Sequence, residues 1–177
     1  MKDMMLLVEP LIPALRRYAR SLMRADAAGA DDLVQDCLER AITRWHQRRA
    51  DGDARTWLFT ILHNLAVNRM RQRARRGWDV PIEDAAEAAT ARPPTQEAGL
   101  RHRELLRALD ELPEEQRSVL LLVSVEDLSY AEAAKVLDVP IGTVMSRLSR
   151  GRERLLRIME APDRPATLPL PTLRSVK

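Results

Sequence analysis

From Ser129 to Leu156 the chain reads SYAEAAKVLDVPIGTVMSRLSRGRERLL. Ser129 followed three residues later by Glu132 is a capping box, in which each side chain bonds the other residue's backbone and starts a helix. Ala133, Ala134 and Leu137 give that helix a buried side. Asp138-Val139-Pro140 breaks it, and a second helix starts near Ile141 or Gly142 with Val144, Leu148 and Leu155 facing inward. Thr143, Ser146, Ser149, Arg150 and Arg154 are left outside. A small residue at Ala134, a turn four residues on and an apolar anchor at Val144 match a helix-turn-helix, whose second helix enters the DNA major groove. Asp138 stands where glycine commonly takes a left-handed conformation, which aspartate tolerates better than most residues. A plain helical hairpin fits the same pattern and stays open at this point.

The rest of the chain agrees with helices. Aromatic residues are 3% of its 177 residues, and Ala, Leu, Arg and Glu dominate. Strands favour aromatic and β-branched side chains, whereas these four are good helix formers. The fold class is therefore all-α. The net charge is only +3, but its distribution is uneven. Ala54 to Trp78 holds six arginines and no acid, and Ile141 to Arg157 holds five arginines against one Glu. Asp79 to Leu100 between them carries five acids and one Arg. Two basic segments around an acidic spacer point to two contact surfaces for a polyanion. One cysteine, Cys37, excludes an internal disulfide, and no Cys/His spacing fits a metal site, so neither metal nor cofactor is expected. The expected location is cytoplasmic, with no membrane insertion, since no apolar run approaches the ~20 residues of a spanning helix.

Leu11, Leu15, Tyr18 and Leu22 have helical spacing in EPLIPALRRYARSLMR. ADAAGADD reads as a loop whose aspartates Asp31 and Asp32 open the next helix, DDLVQDCLERAITRW. RRADGDAR is a second loop, and TWLFTILHNLAVNRMRQRARR a long helix, apolar early and basic late. HRELLRALDEL, then PEEQRSVLLLVSV with Pro113 in its first turn, lead into the helix-turn-helix. The expected organisation is an N-terminal domain over 1–78, a flexible acidic linker over 79–100, a C-terminal domain over 101–160 and a disordered Pro-rich tail over 161–177.

Three stretches together resemble the extracytoplasmic-function (ECF) group of bacterial RNA polymerase sigma factors. LPEEQRSVLLLVSVEDLSYAEAAKVLDVPIGTVMSRLSRGRERL is similar to the family's C-terminal domain, DDLVQDCLERA to its D-L-V-Q polymerase-binding helix, and TWLFTILHNLAVNRMRQ to its promoter-melting helix. The resemblance implies two helical domains, with core RNA polymerase and promoter DNA as partners. It also implies an anti-sigma factor that holds the chain inactive. Asp32, Leu33, Gln35 and Asp36 would dock on polymerase. Asn64 and Asn68 would meet the melted −10 strand, with Arg69, Arg71, Arg73, Arg75 and Arg76 along its phosphates. The −35 contacts would fall on Gly142, Thr143, Met145, Ser146, Ser149 and Arg150. Met145 and Val123 depart from the pattern, since many members carry a basic residue at the first position and some at the second.

Two other readings compete. A stand-alone helix-turn-helix regulator does not need the DDLVQD helix or a second Arg-rich domain, and a decoy that only sequesters an anti-sigma factor should have lost its DNA-facing residues. No nucleophile constellation, paired carboxylates or Gly-rich phosphate loop points to an enzyme.

Overall fold

The computed structural model describes residues 2–23, 26–48, 52–75 and 96–160, and every regular element among them is helical. The chain begins with α1 (Lys2–Val8), a 3-10 turn at Glu9–Leu11 and α2 (Ile12–Met23). Pro10 and Pro13 fall in first turns, where a missing N–H is no loss. The sequence pattern does not announce α1. Met4 and Val8 are buried, but Met5, Leu6 and Leu7 between them are exposed, so its apolar run lacks a contrasting polar face.

α3 (Ala27–Arg44) corrects the expected loop at ADAAGADD. The helix starts at Ala27 rather than at Asp31, because Asp26 is its N-cap and accepts from the Gly29 N–H at 2.8 Å. A Cβ on Gly29 would collide with that carboxylate, so the cap needs glycine there. After a 3-10 turn at Trp45–Gln47, Asp53 opens α4 (Ala54–Arg75), accepting from the Thr56 N–H and hydroxyl, both at 2.8 Å. Leu15, Tyr18 and Leu22 of α2, Leu33, Val34 and Cys37 of α3, and Leu58, Phe59 and Leu62 of α4 recur every three or four residues and close one core. Tyr18 meets the Phe59 ring edge-on at 5.4 Å between centroids, and its hydroxyl is hydrogen-bonded to His63 Nδ1 at 3.0 Å. Burial raises the Tyr18 pKa and lowers that of His63 to about 4, so both partners are neutral.

The C-terminal half comprises α5 (Gln96–Asp110), α6 (Glu114–Leu120), a π-helical turn at Leu121–Val125, α7 (Tyr130–Leu137) and α8 (Ile141–Glu160). α5 starts inside the span expected as linker; residues 79–95 of that linker and the 161–177 tail lie outside the described residues. α8 packs on α5, α6 and α7. Where it crosses α6 it presents buried Gly151, at which a Cβ would lie 3.0 Å from Leu120 Cδ1 and 3.3 Å from Gln116 Cβ. The two halves are not separate. α2 packs on α6, α4 packs on α7, and one continuous core runs through both. Among the described residues no helix is long and apolar enough to cross a membrane.

Two outcomes follow from this packing. Gly151→Val overpacks the α6–α8 crossing and should cost about 1–3 kcal/mol in chemical denaturation; an unchanged midpoint would contradict the close approach. His63 has its pKa depressed from 6.5 to about 4, so the folded chain binds fewer protons than the unfolded one between those values. Its contribution is complete above pH 6.5 and lost as pH falls towards 4, about 2 kcal/mol of it by pH 5. His63→Gln should flatten that acid slope in thermal melts, and equal slopes in both proteins would show another group to be responsible.

Candidate nucleic-acid interface

The helix-turn-helix forms as its local signals dictate. The Ser129 hydroxyl accepts from the Glu132 N–H at 3.2 Å, and the Glu132 carboxylate accepts from the Ser129 N–H at 2.7 Å. Asp138 is left-handed, with φ 52° and ψ 50°, and its N–H donates to the Ala134 carbonyl. Pro140 then opens α8, its carbonyl accepting from the N–H groups of Thr143 and Val144. Val144 and Leu148 are buried, as is Gly151 one turn on. The opposite side stays open: Gly142, Met145, Ser146, Ser149 and Arg150 are exposed and Thr143 is half-buried. Arg150 lies along its own helix, donating from Nε to the Ser146 carbonyl at 3.2 Å and from Nη2 to the Ser146 hydroxyl at 3.3 Å. Arg147 turns inward to Glu115 at 3.1 Å, so it braces α8 against α6. Met145 projects from the exposed face, whereas Val123 is half-buried against the core and offers little surface.

A second exposed face lies along α4. Its buried residues end at Ala66, and Asn64, Asn68, Arg71 and Arg75 point to solvent. The basic half of the helix borders a groove of about 650 Å³ against α3, lined among others by Asp36, Arg40, Asn68, Arg71 and Arg75. Arg69 and Arg73 are engaged within the chain. Arg69 donates to the Gly29 carbonyl at 3.2 Å and pairs with Asp32 at 3.4 Å, and Arg73 pairs with the cap residue Asp26. Arg76 lies outside the described residues. Trp57 is half-buried and packs edge-on against Trp45, 5.8 Å between centroids, so it is part of the packing rather than an open stacking platform.

On α3, Asp32, Gln35 and Asp36 are exposed, but Leu33 is only 1% exposed. Leu33, expected with them, is buried and anchors the helix in the core at the floor of that groove. Asp31 also departs from its expected capping role, pairing instead with Arg20 of α2 at 3.0 Å. Sequence reasoning missed the Arg69–Asp32 pair, because the two residues lie on different helices and no local signal links them.

Comparison with known proteins places these faces in a family. Residues 8–63 match the family described as the Sigma2 domain of PhyR, and residues 102–155 match Sigma-70, region 4. The ECF RNA polymerase sigma factor EcfG of Rhodopseudomonas palustris is 38% identical over 149 residues, 84% of this chain and 80% of that protein. SigM of Mycobacterium tuberculosis, also an ECF RNA polymerase sigma factor, is 36% identical over 147 residues, covering 82% of this chain and 71% of the relative. Among solved structures, the sigma factor RpoE of Bartonella quintana, in complex with the anti-sigma factor NepR, superposes with a TM-score of 0.75 at 32% identity, over 92% of this chain and all of that one. A likeness that runs through both halves, in the same order and at this identity, means that the chain belongs to the ECF family of RNA polymerase sigma factors.

Proposed function

We propose that this alternative sigma factor divides promoter recognition among the three exposed faces, with the polymerase- and −10-binding work in residues 1–78 and the −35 work in 101–160. α3 docks on core RNA polymerase through Asp32, Gln35 and Asp36, an acid and amide surface suited to basic partners. α4 takes the melted −10 strand: the Asn64 and Asn68 amides both donate to and accept from base edges, while Arg71 and Arg75 follow the phosphates. Arg69 joins them once it exchanges Asp32 for a phosphate. α8 reads the −35 duplex with Gly142, Thr143, Met145, Ser146, Ser149 and Arg150. Met145 reaches a thymine methyl or a sugar but forms no hydrogen bond to guanine, which sets its preference apart from that of an arginine. The observation that carries the reading is the coexistence on one chain of two DNA-facing helices, α4 and α8, with an acidic helix beside the first. A stand-alone DNA-binding regulator needs only one of these. An anti-sigma factor is the further partner proposed, on the likeness to the Bartonella protein solved with one.

The deciding experiment is run-off transcription with core polymerase on the chain's own promoter. Transcripts that depend on this chain are expected; DNA binding without transcripts would overturn the reading. Replacing Asp32 and Gln35 together with alanine should weaken polymerase binding at least about tenfold, with strand binding by α4 retained. Unchanged polymerase affinity would move the docking face elsewhere. Arg150→Ala should cost about 1–3 kcal/mol of promoter binding with relaxed preference at one base pair. A uniform loss across sequences with a shallower salt dependence would make it a phosphate contact instead.

A further inference from the structure

The groove between α3 and α4 holds more positive charge than the strand-facing side of α4 accounts for. Five arginines and one acid, Asp36, line its space of about 650 Å³. Arg40 comes from α3 and stands exposed, while Arg71 and Arg75 come from α4. Among the described residues none of these three guanidiniums has a carboxylate partner, whereas Arg69 and Arg73 are held by Asp32 and Asp26. The buried side chains of Leu33 and Leu65 form an apolar floor. Asn64, where the strand-facing side of α4 begins, is outside this lining, and Arg40 belongs to the other helix.

Such a groove is unfavourable while empty of anions. Arg71 and Arg75 are one turn apart, a spacing at which like charges destabilise a helix. A cleft of one sign over low-dielectric walls also focuses the field and concentrates anions. Guanidinium forks match phosphate oxygens with two parallel hydrogen bonds. The volume falls within the roughly 300–1,000 Å³ of small-ligand sites. Three unpartnered cations on two walls suit a compact anion with several charges. A nucleic-acid strand spreads its charges one per nucleotide along α4, but directly linked phosphates gather them in one place. Asp36 is the opposing charge in the lining, and its exposure lets solvent and salt screen the repulsion.

We propose that the α3–α4 groove binds a chain of linked phosphates, as in a nucleoside triphosphate or inorganic polyphosphate, with Arg40 clamping it against Arg71 and Arg75. Binding is a property of the chain alone. Its consequence, exclusion of the −10 strand from Asn68, Arg71 and Arg75, rests on the function proposed above.

The test is titration calorimetry on the full chain at ~0.15 M salt, with inorganic tripolyphosphate in one arm and adenosine triphosphate in the other. Tripolyphosphate should saturate one site below about 1 mM, a range in which orthophosphate does not saturate. Arg40→Gln, at an exposed position, should weaken tripolyphosphate at least about tenfold and leave binding of a −10-strand oligonucleotide nearly unchanged. Arg75→Gln should give the same loss of tripolyphosphate if the Arg40 variant fails to fold. Equal affinity for both probes assigns recognition to the phosphate chain, and tighter adenosine triphosphate adds a contact to the nucleoside; both sustain the site. Adenosine triphosphate binding without tripolyphosphate binding would overturn it, as would no saturation by either probe or native affinity in folded Arg40→Gln. Tripolyphosphate should also displace the oligonucleotide from the native chain, and simultaneous binding of both would overturn the exclusion. A native chain that binds tripolyphosphate but no oligonucleotide keeps the phosphate site and instead removes the −10 role proposed for α4.

Discussion

A carboxylate sealed from water needs a compensating charge, and the geometry around Glu126 supplies one from more than a hundred residues away. The local chain aims it inward. The π-helical turn lets the Glu126 N–H donate back to the Leu121 carbonyl at 2.9 Å, five residues earlier, and the Leu128 N–H reaches Leu122 at 3.0 Å. Asp127 between them takes a left-handed φ of 50°. These bonds satisfy the backbone through a tight reversal and leave the Glu126 side chain pointing at α2. Arg17 then completes a paired, doubly hydrogen-bonded contact, the geometry in which a carboxylate and a guanidinium interact best. The Glu126 bonds and Arg117 at the end of α2 join the same surfaces that the continuous apolar core packs together.

That closure uses faces other than the ones proposed to meet partners. α8 spends Val144, Leu148 and Gly151 on packing and leaves the Met145–Ser146–Ser149–Arg150 side outward. α4 spends Leu58, Phe59 and Leu62 on the core and leaves Asn64, Asn68, Arg71 and Arg75 outward. Arg69 and Arg73 of α4 pair with the carboxylates of Asp32, which is exposed, and Asp26, which is partly exposed. Such surface pairs are worth about 0–1 kcal/mol, so a phosphate displaces them readily. Arg69 and Asp32 therefore hold each other by a contact that a competing charge displaces at little cost.

How much of this was legible varies with the range of the interaction. The capping box at Ser129 and Glu132, the left-handed Asp138 and the Val144 anchor were readable because each depends on residues within about one turn. The buried side of α2 follows from its three-to-four-residue spacing, and the apolar-to-basic change along α4 is legible in its composition. The start of α3 was misplaced at Asp31, since an Ala- and Gly-rich first turn carries no apolar periodicity and two later aspartates imitate a cap. Leu33 belongs to the motif that the resemblance assigns to docking, and its packing in the core is visible only in the tertiary structure. Val123, noted only as a departure from the basic residue some members carry, lies half-buried.

The sequence by itself determined an all-helical chain, a helix-turn-helix near its end and two arginine-rich helices whose motifs match one family. These rest on backbone propensity and short-range spacing, which are properties of neighbouring residues. Only the tertiary structure decided that Arg69 faces Asp32, that Arg117 closes the end of α2, and that Arg17 and Glu126 meet across 109 positions. Charges so far apart in sequence carry no common local pattern; they become partners when helix packing brings their surfaces together and burial makes an unpaired carboxylate too costly to keep.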